Sequence, residues 1–263
     1  MNDIIKKTMD SVSPYWGTCR FDGQSLIQCR AISRIPKDAK SIVVALFPYY
    51  LGEDAYDGQN VSKYAVVPDY HKTIGQKLDK AVCELRVKFP NEAFEHFTDN
   101  SPLPEVLTAI RAGLGVRGKN GLLINKEFGS WVFIGEIITT LELEHSNEKA
   151  AQCLNCGQCI KMCPTGALSK NGFDKDKCLS GITQQKGDLT EEQVELIEQS
   201  GCAWGCDICQ SVCPLNSNAK VTPIQEFSLN AKASVDLCDD IEGRAFEWRG
   251  KKVIQRNLKI LEK

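Results

Sequence analysis

Two dense cysteine runs, each ending in Cys-Pro, restrict what this chain can become. The first is Cys153, Cys156, Cys159, Cys163 and Pro164, spaced C-x2-C-x2-C-x3-C-P; the second, Cys206, Cys209, Cys213 and Pro214, repeats it without its first member. This is the bacterial two-cluster ferredoxin signature, in which the fourth cysteine crosses to the other cluster. Ala203 stands where the spacing would put the missing ligand, and Cys178 and Cys202 compete to replace it. Tetrahedral zinc is the competing reading, because paired C-x2-C units also build zinc ribbons. Zinc needs only four thiolates and gives no reason for two Cys-Pro endings. Two 4Fe-4S clusters and electron transfer are therefore the expectation. Of the thirteen cysteines, Cys19, Cys29, Cys83 and Cys238 are scattered singly and read as small buried side chains.

Cluster thiolates need a reducing compartment. The first ~30 residues lack a continuous apolar region of the secretory kind, and no stretch approaches the ~18–20 apolar residues of a membrane span. These features point to the cytoplasm, without membrane contact. A chain of 263 residues with 42% hydrophobic content can bury a real core. Its net charge of −2 and pI near 6.0 give no global push toward nucleic acid. Residues 243–263 differ, carrying seven Lys/Arg against two Glu; such a stretch can touch phosphate or serve as a solvated helix face.

The chain reads in three parts and as an α+β protein. Residues 1–147 are a mixed α/β domain. Ile4, Ile5, Met9 and Val12 have helical spacing, and the apolar run 41–47 (SIVVALF), stopped by Pro48, reads as a strand buried on both faces. Residues 71–89 place Ile74, Leu78, Val82 and Leu85 on one helical face, and Pro90 ends the helix. Asp99, Asn100 and Ser101 read as cap or turn residues before a helix opening near Pro104-Glu105, and 131–140 (WVFIGEIITT) as another central strand. Residues 148–216 form a ferredoxin-like cluster domain, with a capping box at Thr190 and Gln193 and a helix stop at Gly201. Residues 217–263 form a C-terminal helical extension.

Polar, glycine-rich islands occupy 64–131. They are Tyr64-Ala65 with Asp69-Tyr70-His71, then Asp99-Asn100-Ser101-Pro102, then Gly113 and Gly115 running into Gly118-Lys119-Asn120-Gly121 and Gly129-Ser130-Trp131. Glycine at this density lets backbone approach a bound group and offer amide donors to it. The G-x-G-x-x-G match at 113–118 follows an apparent helix instead of opening one after a strand, which argues against a nicotinamide site.

The ordered set Tyr64-Ala65…Asp69-Tyr70-His71, Asp99-x-x-Pro102-x-x-Glu105, AGLGVRGKN (112–120), LLIN (122–125), GSW (129–131), GEIIT (135–139), Cys178-Leu179-Ser180 and both Cys-Pro runs resembles the epoxyqueuosine reductase family. The resemblance implies a cobalamin-dependent enzyme with two 4Fe-4S clusters that removes the epoxide oxygen of epoxyqueuosine in tRNA. It implies Asp99 as the catalytic proton donor, whose carboxyl would have to be held protonated by an apolar site. Tyr64, Asp69, Tyr70, His71, Gly113, Gly115, Lys119, Asn120, Gly129 and Ser130 are the candidate cobalamin-binding residues. The cluster assignment expected is Cys153, Cys156, Cys159 and Cys213 for one cluster, and Cys163, Cys178, Cys206 and Cys209 for the other, with Cys202 a bystander. The partners implied are tRNA and an electron donor such as a flavodoxin or ferredoxin reductase system. Family members carry a C-terminal helical-repeat domain that helps grip tRNA. This chain stops after Arg256-Asn257, where that domain would start, and has Val106 where the family usually shows arginine; a short form is expected. The readings that compete with this enzyme are a ferredoxin-type carrier serving a corrinoid partner and a reductive dehalogenase-like reductase of a small molecule.

Overall fold

The computed structural model describes residues 2–13, 15–146 and 152–262. The expected boundary at 147/148 lies outside the described residues. The chain opens with α1 (Asn2–Val12) and β1 (Trp16–Arg20), then enters β2 (Ser41–Pro48), whose eight residues are all buried. The short α2 (Lys63–Val66), the long α3 (Tyr70–Lys88), β3 (Phe94–Thr98) and α4 (Glu105–Arg111) follow. A small ladder, β4 (Val116–Arg117) with β5 (Leu123–Ile124), precedes β6 (Val132–Thr139). The sheet runs β1-β2-β6-β3 and is antiparallel throughout, with Val43 opposite Ile137 and Phe97 opposite Glu136.

The apolar run of β2 is continuous because both faces of the sheet are covered. Alternate residues of a strand point to opposite sides. Val43, Ala45 and Phe47 meet Ile74, Leu78 and Leu85 of α3 together with Met9 of α1. Ile42, Val44 and Leu46 meet Ala109 of α4 and Leu103 on the other side. Gly135 of β6 lets α3 sit this close, since a Cβ there would lie 2.9 Å from both Leu78 Cδ1 and Phe47 Cε2.

The second half contains α5 (Gln158–Lys161), a ladder of β7 (Leu168–Ser169) with β8 (Gly172–Phe173), α6 (Leu179–Gln184), α7 (Glu191–Ser200) and α8 (Ile208–Ser211). Thr190 and Gln193 form the reciprocal capping box of α7, and Gly201 closes that helix in the left-handed conformation. Then come α9 (Gln225–Leu229) and α10 (Lys251–Leu261). The last helix is buried along one face by Val253, Ile254, Leu258 and Ile260. Its Asn257 is wholly buried and donates to Thr183 O at 2.7 Å and Ala203 O at 2.8 Å. Ala203, Trp204, Phe246 and Ile254 share a core with Val61, Ala65 and Val66, so this half is packed onto α2.

Three expectations are corrected or narrowed. Of the single cysteines Cys19 is buried, Cys29 half-buried, and Cys83 and Cys238 exposed. Of the cap and turn readings of Asp99 the turn holds: Asp99 and Asn100 turn the chain with φ of +56° and +46°, and the cap position of α4 belongs to Pro104, with no side-chain bond. The basic C-terminal stretch is not all solvated. Arg244 is 5% exposed and donates to the backbone oxygens of Ala65 and Lys232, while Arg256 donates to those of Gln185 and Gly187. Among the described residues no helix is long and apolar enough to cross a membrane.

Candidate functional site

The two cysteine runs come together where the halves of the chain meet. Cys153, Cys156, Cys159 and Cys213 line one small cavity, closed by Gly118, Lys119, Asn120 and Pro214. Thus the last cysteine of the second run joins the first three of the first, as the crossing rule requires. The charges acting on Cys206 include Cys178 and Cys163, and those acting on Cys209 include Cys206, Cys178 and, from the first group, Cys159, so these thiols lie near one another and near the first group. Cys202 is turned away into local bonds, its sulfur donating to Trp204 O and Gly205 O. Backbone N–H groups of Leu168, Thr165 and Ala167 and the Thr165 hydroxyl point at the Cys163 sulfur, the kind of bonding that tunes a cluster. Among the described residues no three His, Cys, Asp or Glu side chains converge as a single ion would need; a cubane holds its thiolates farther apart, at its iron corners.

The second run is anchored to the first half by backbone and side chains. Ala203 N donates to Asn60 O at 2.7 Å and Ser62 N to Trp204 O at 2.8 Å. Trp204 Nε1 donates to the Tyr64 hydroxyl at 2.7 Å. Asp207, between two cluster cysteines, accepts from Lys63 N at 2.7 Å. Beyond Cys213, Asn216 accepts from Ser130 N at 2.7 Å and donates to Ser130 Oγ at 2.9 Å and Gln210 O at 2.7 Å.

Beside the clusters lies an acidic site built on α3 and the loop before α4. Asp69 caps α3 by accepting from His71 N. The His71 ring bridges two carboxylates, Nδ1 to Asp69 Oδ1 at 2.7 Å and Nε2 to Asp99 Oδ2 at 3.1 Å. Burial works against a charge on His71, yet the bonds to Asp69 and Asp99 and their charges outweigh it and raise the imidazole to about 9. The bond from His71 holds Asp99 below the usual carboxylate range despite partial burial. The proton is therefore on His71 at neutral pH, not on Asp99 as the apolar-site expectation required. Tyr70 stacks on His71 and, with 8° between planes, on Phe133 of β6. Burial raises the Tyr64 and Tyr70 phenols, and the charge of Asp99 adds to both.

Asp99 opens onto a cleft of about 510 Å³ whose walls include Ser101, Glu105, Ile110, Arg117 and Gly121. Residues 117–121 thus border this cleft on one side and the Cys153–Cys213 cavity on the other. Of the candidate cofactor residues, Tyr64, Asp69, Tyr70 and His71 gather around Asp99, whereas Lys119 and Asn120 line the cluster cavity. Gly113 (φ +78°) ends the α4 turn, and a Cβ on Gly115 would lie 2.5 Å from Ile124 O. Gly129 and Ser130 pack against Asn216. These four serve packing and do not line the cleft. Sequence reasoning missed Glu136, a carboxylate in the middle of an apolar strand, which is itself a signal because such groups are rarely buried without purpose.

Fold and site together define a two-cluster iron–sulfur protein with a carboxylate- and histidine-bearing cleft beside the clusters. Residues 152–216 match the family model of the 4Fe-4S double cluster binding domain, and residues 30–100 that of epoxyqueuosine reductase QueG, DUF1730. The epoxyqueuosine reductase of Listeria monocytogenes is 37% identical over 209 residues, covering 73% of this chain and 54% of the relative. That of Gloeobacter violaceus is 36% identical over 240 residues, covering 86% and 75%. The structure of epoxyqueuosine reductase from Streptococcus thermophilus superposes with a TM-score of 0.81 at 25% identity, over 99% of this chain and 80% of that one. A structure of epoxyqueuosine reductase with an epoxyqueuosine-modified tRNA-Tyr stem loop gives 0.79 at 25% identity, over 99% and 80%. The chain belongs to the epoxyqueuosine reductase family. It spans little more than half the length of the Listeria relative.

Proposed function

We propose that this chain reduces the epoxide of epoxyqueuosine in tRNA to the alkene, in the cytoplasm, with electrons from a low-potential carrier of the flavodoxin or ferredoxin class. The observation that carries this reading is the 117–121 turn, which joins a four-cysteine cavity to a cleft bearing an acid. A simple electron carrier needs no such cleft. Cys153, Cys156, Cys159 and Cys213 would hold one 4Fe-4S cluster, and Cys163, Cys178, Cys206 and Cys209 the other. The cleft fits part of a corrin: its volume lies in the range of ordinary ligand sites, and Asn100, Ser101 and Arg117 offer polar groups to a periphery of amides beside the apolar Ile27, Leu107 and Ile110. Bound there, cobalamin would supply a cobalt centre able to pass electrons from the clusters to the substrate carbon. Asp99 and His71 act as one acid. Asp99 faces the cleft, and His71, held by Asp69, carries the proton that an opening epoxide oxygen requires.

The test is single-turnover reduction of an epoxyqueuosine-bearing stem loop by the anaerobic, cobalamin-loaded protein, comparing wild type with Asp99→Asn. The variant should keep both clusters while its rate falls by about 10²–10⁴, as for a lost general acid. An undiminished rate would remove Asp99 from the mechanism. Absence of queuosine from fully loaded wild type would reject the substrate.

A further inference from the structure

Turning an epoxide into an alkene takes up two electrons and two protons and releases the oxygen as water. The His71–Asp99 couple holds one acidic proton; a second donor must face the same cleft. Glu136 of β6 has no exposed surface. Its Oε2 accepts from Ser101 Oγ, the Thr108 hydroxyl lies against the carboxyl as a weak second donor, and Oε1 is left without a well-aligned hydrogen bond among the described residues. An ionised carboxylate with a bare buried oxygen is costly, and a neutral carboxyl much less so. Ser101, which bonds it, lines the cleft together with Asp99 and Glu105. Glu105 opens α4 at the cleft wall, and the Asp99 backbone N–H reaches its carboxylate.

We propose that Glu105 and Glu136 form a carboxyl pair that keeps a proton beside Asp99, Glu105 delivering the second proton of the reduction and Glu136 resupplying it from behind. This role in turnover rests on the epoxide reading above. The first C–O bond breaks, and the oxygen takes the proton held by His71 and Asp99. The second C–O bond then breaks as the C=C bond forms, and the departing hydroxide takes the Glu105 proton and leaves as water. The two electrons enter one at a time from the external carrier through the clusters.

The surroundings favour the neutral pair. Burial and the Asp99 charge raise Glu105 to about 7, with the Asp99 amide and the His71 charge opposing. Burial and the Glu105 charge raise Glu136 to about 8, with the hydroxyls of Ser101 and Thr108 opposing. From β1, the buried Cys19 faces Glu136 and feels both its charge and that of Arg111 on α4.

The experiment is infrared difference spectroscopy of the cluster-loaded full chain, stepped from pH about 6 to about 9, across the values of the two glutamates. Wild type should lose a protonated-carboxyl band near pH 7–8. Glu136→Gln should remove about half of that band, and Glu105→Gln should remove the other half and lower the midpoint of what remains by removing the neighbouring charge. In single turnover, Glu105→Gln should slow the reaction at pH about 6.5 by about 10²-fold and abolish the decline between pH 7 and 8, leaving the His71 limb near 9. No titrating carboxyl band in wild type, or a band unchanged in Glu136→Gln, overturns the pair. An unaltered pH profile in Glu105→Gln overturns its delivery of a proton. A band as expected with no turnover by wild type rejects the epoxide reading and the second-proton role together, while the proton-keeping pair stands.

Discussion

Gly129 marks a very close contact between the first half of the chain and the cluster half, and it offers a sharp test of how the two are joined. A Cβ there would lie 2.0 Å from Asn216 Oδ1 and 3.1 Å from Asn216 Cα, and the residue has a φ of +57°. Asn216 has little freedom to move away. It is 8% exposed and makes three buried hydrogen bonds, to Ser130 N, Ser130 Oγ and Gln210 O. Gly129→Ala therefore meets the left-handed penalty of about 1–2 kcal/mol and displaces the Asn216 amide, leaving buried polar groups unpaired at about 2–3 kcal/mol more. A total near 4 kcal/mol corresponds to a fall in melting temperature of about 8–16 °C for a chain of this size. Because Cys213 lies one short turn before Asn216, the variant should also lose about half its iron, that of the cluster holding Cys213. The assay is a thermal melt with iron analysis on anaerobic protein, run as a cycle with Asn216→Ala. The double variant should recover the clash but not the lost bonds, giving a coupling of more than about 1 kcal/mol. A melting temperature within about 3 °C of wild type and a full iron content would refute this account of the junction.

Cys178→Ala should lose the iron of one cluster and its reduced-state EPR signal, whereas Cys202→Ala should keep both; loss only in the Cys202 variant would reverse the ligand assignment. His71→Gln tests the carboxylate bridge through its pH dependence. Since His71 is raised from 6.5 to about 9 in the fold, its stabilisation is complete below about 6.5 and fades as pH rises through 9. The melting-temperature gap between wild type and variant should shrink across that interval, and a constant gap would show that the ring acts by packing alone.

The sequence disclosed those parts of the molecule whose cause is local or repetitive. The run at 41–47 could be read because covering both faces of β2 leaves no polar alternation to confuse it. The α7 cap and stop were legible because Thr190, Gln193 and Gly201 act within one turn of their own helix. Cysteine spacing marked the double-cluster unit because each run repeats a fixed local pattern. What stayed hidden depends on contacts across the chain. Gly129 and Ser130 look like ligand-lining turn residues until Asn216, 86 positions on from Ser130, is seen bonded to Ser130 and packed against Gly129. Ala203, in the ligand register, is apolar because it sits in a core closed by Phe246 and Ile254. The protonation of the site was inverted. The proton-donor role implied by the resemblance would need a neutral Asp99 carboxyl, but His71 reaches Asp99 from another element and carries the proton instead.

The buried amide of Asn257 sets a timetable for maturation. It ties the backbone of Thr183 to that of Ala203, on either side of α7 and next to Cys178 and Cys206, and it is synthesised about fifty residues after Cys206. At bacterial elongation rates that interval lasts on the order of 3–10 s. Through that interval the second run lacks the Asn257 bonds that join Thr183 to Ala203 in the folded protein. Iron delivered in that window would meet cysteines not yet sorted between two sites. The docking of α10 is therefore the last event that fixes the backbone on both sides of α7 around the second run.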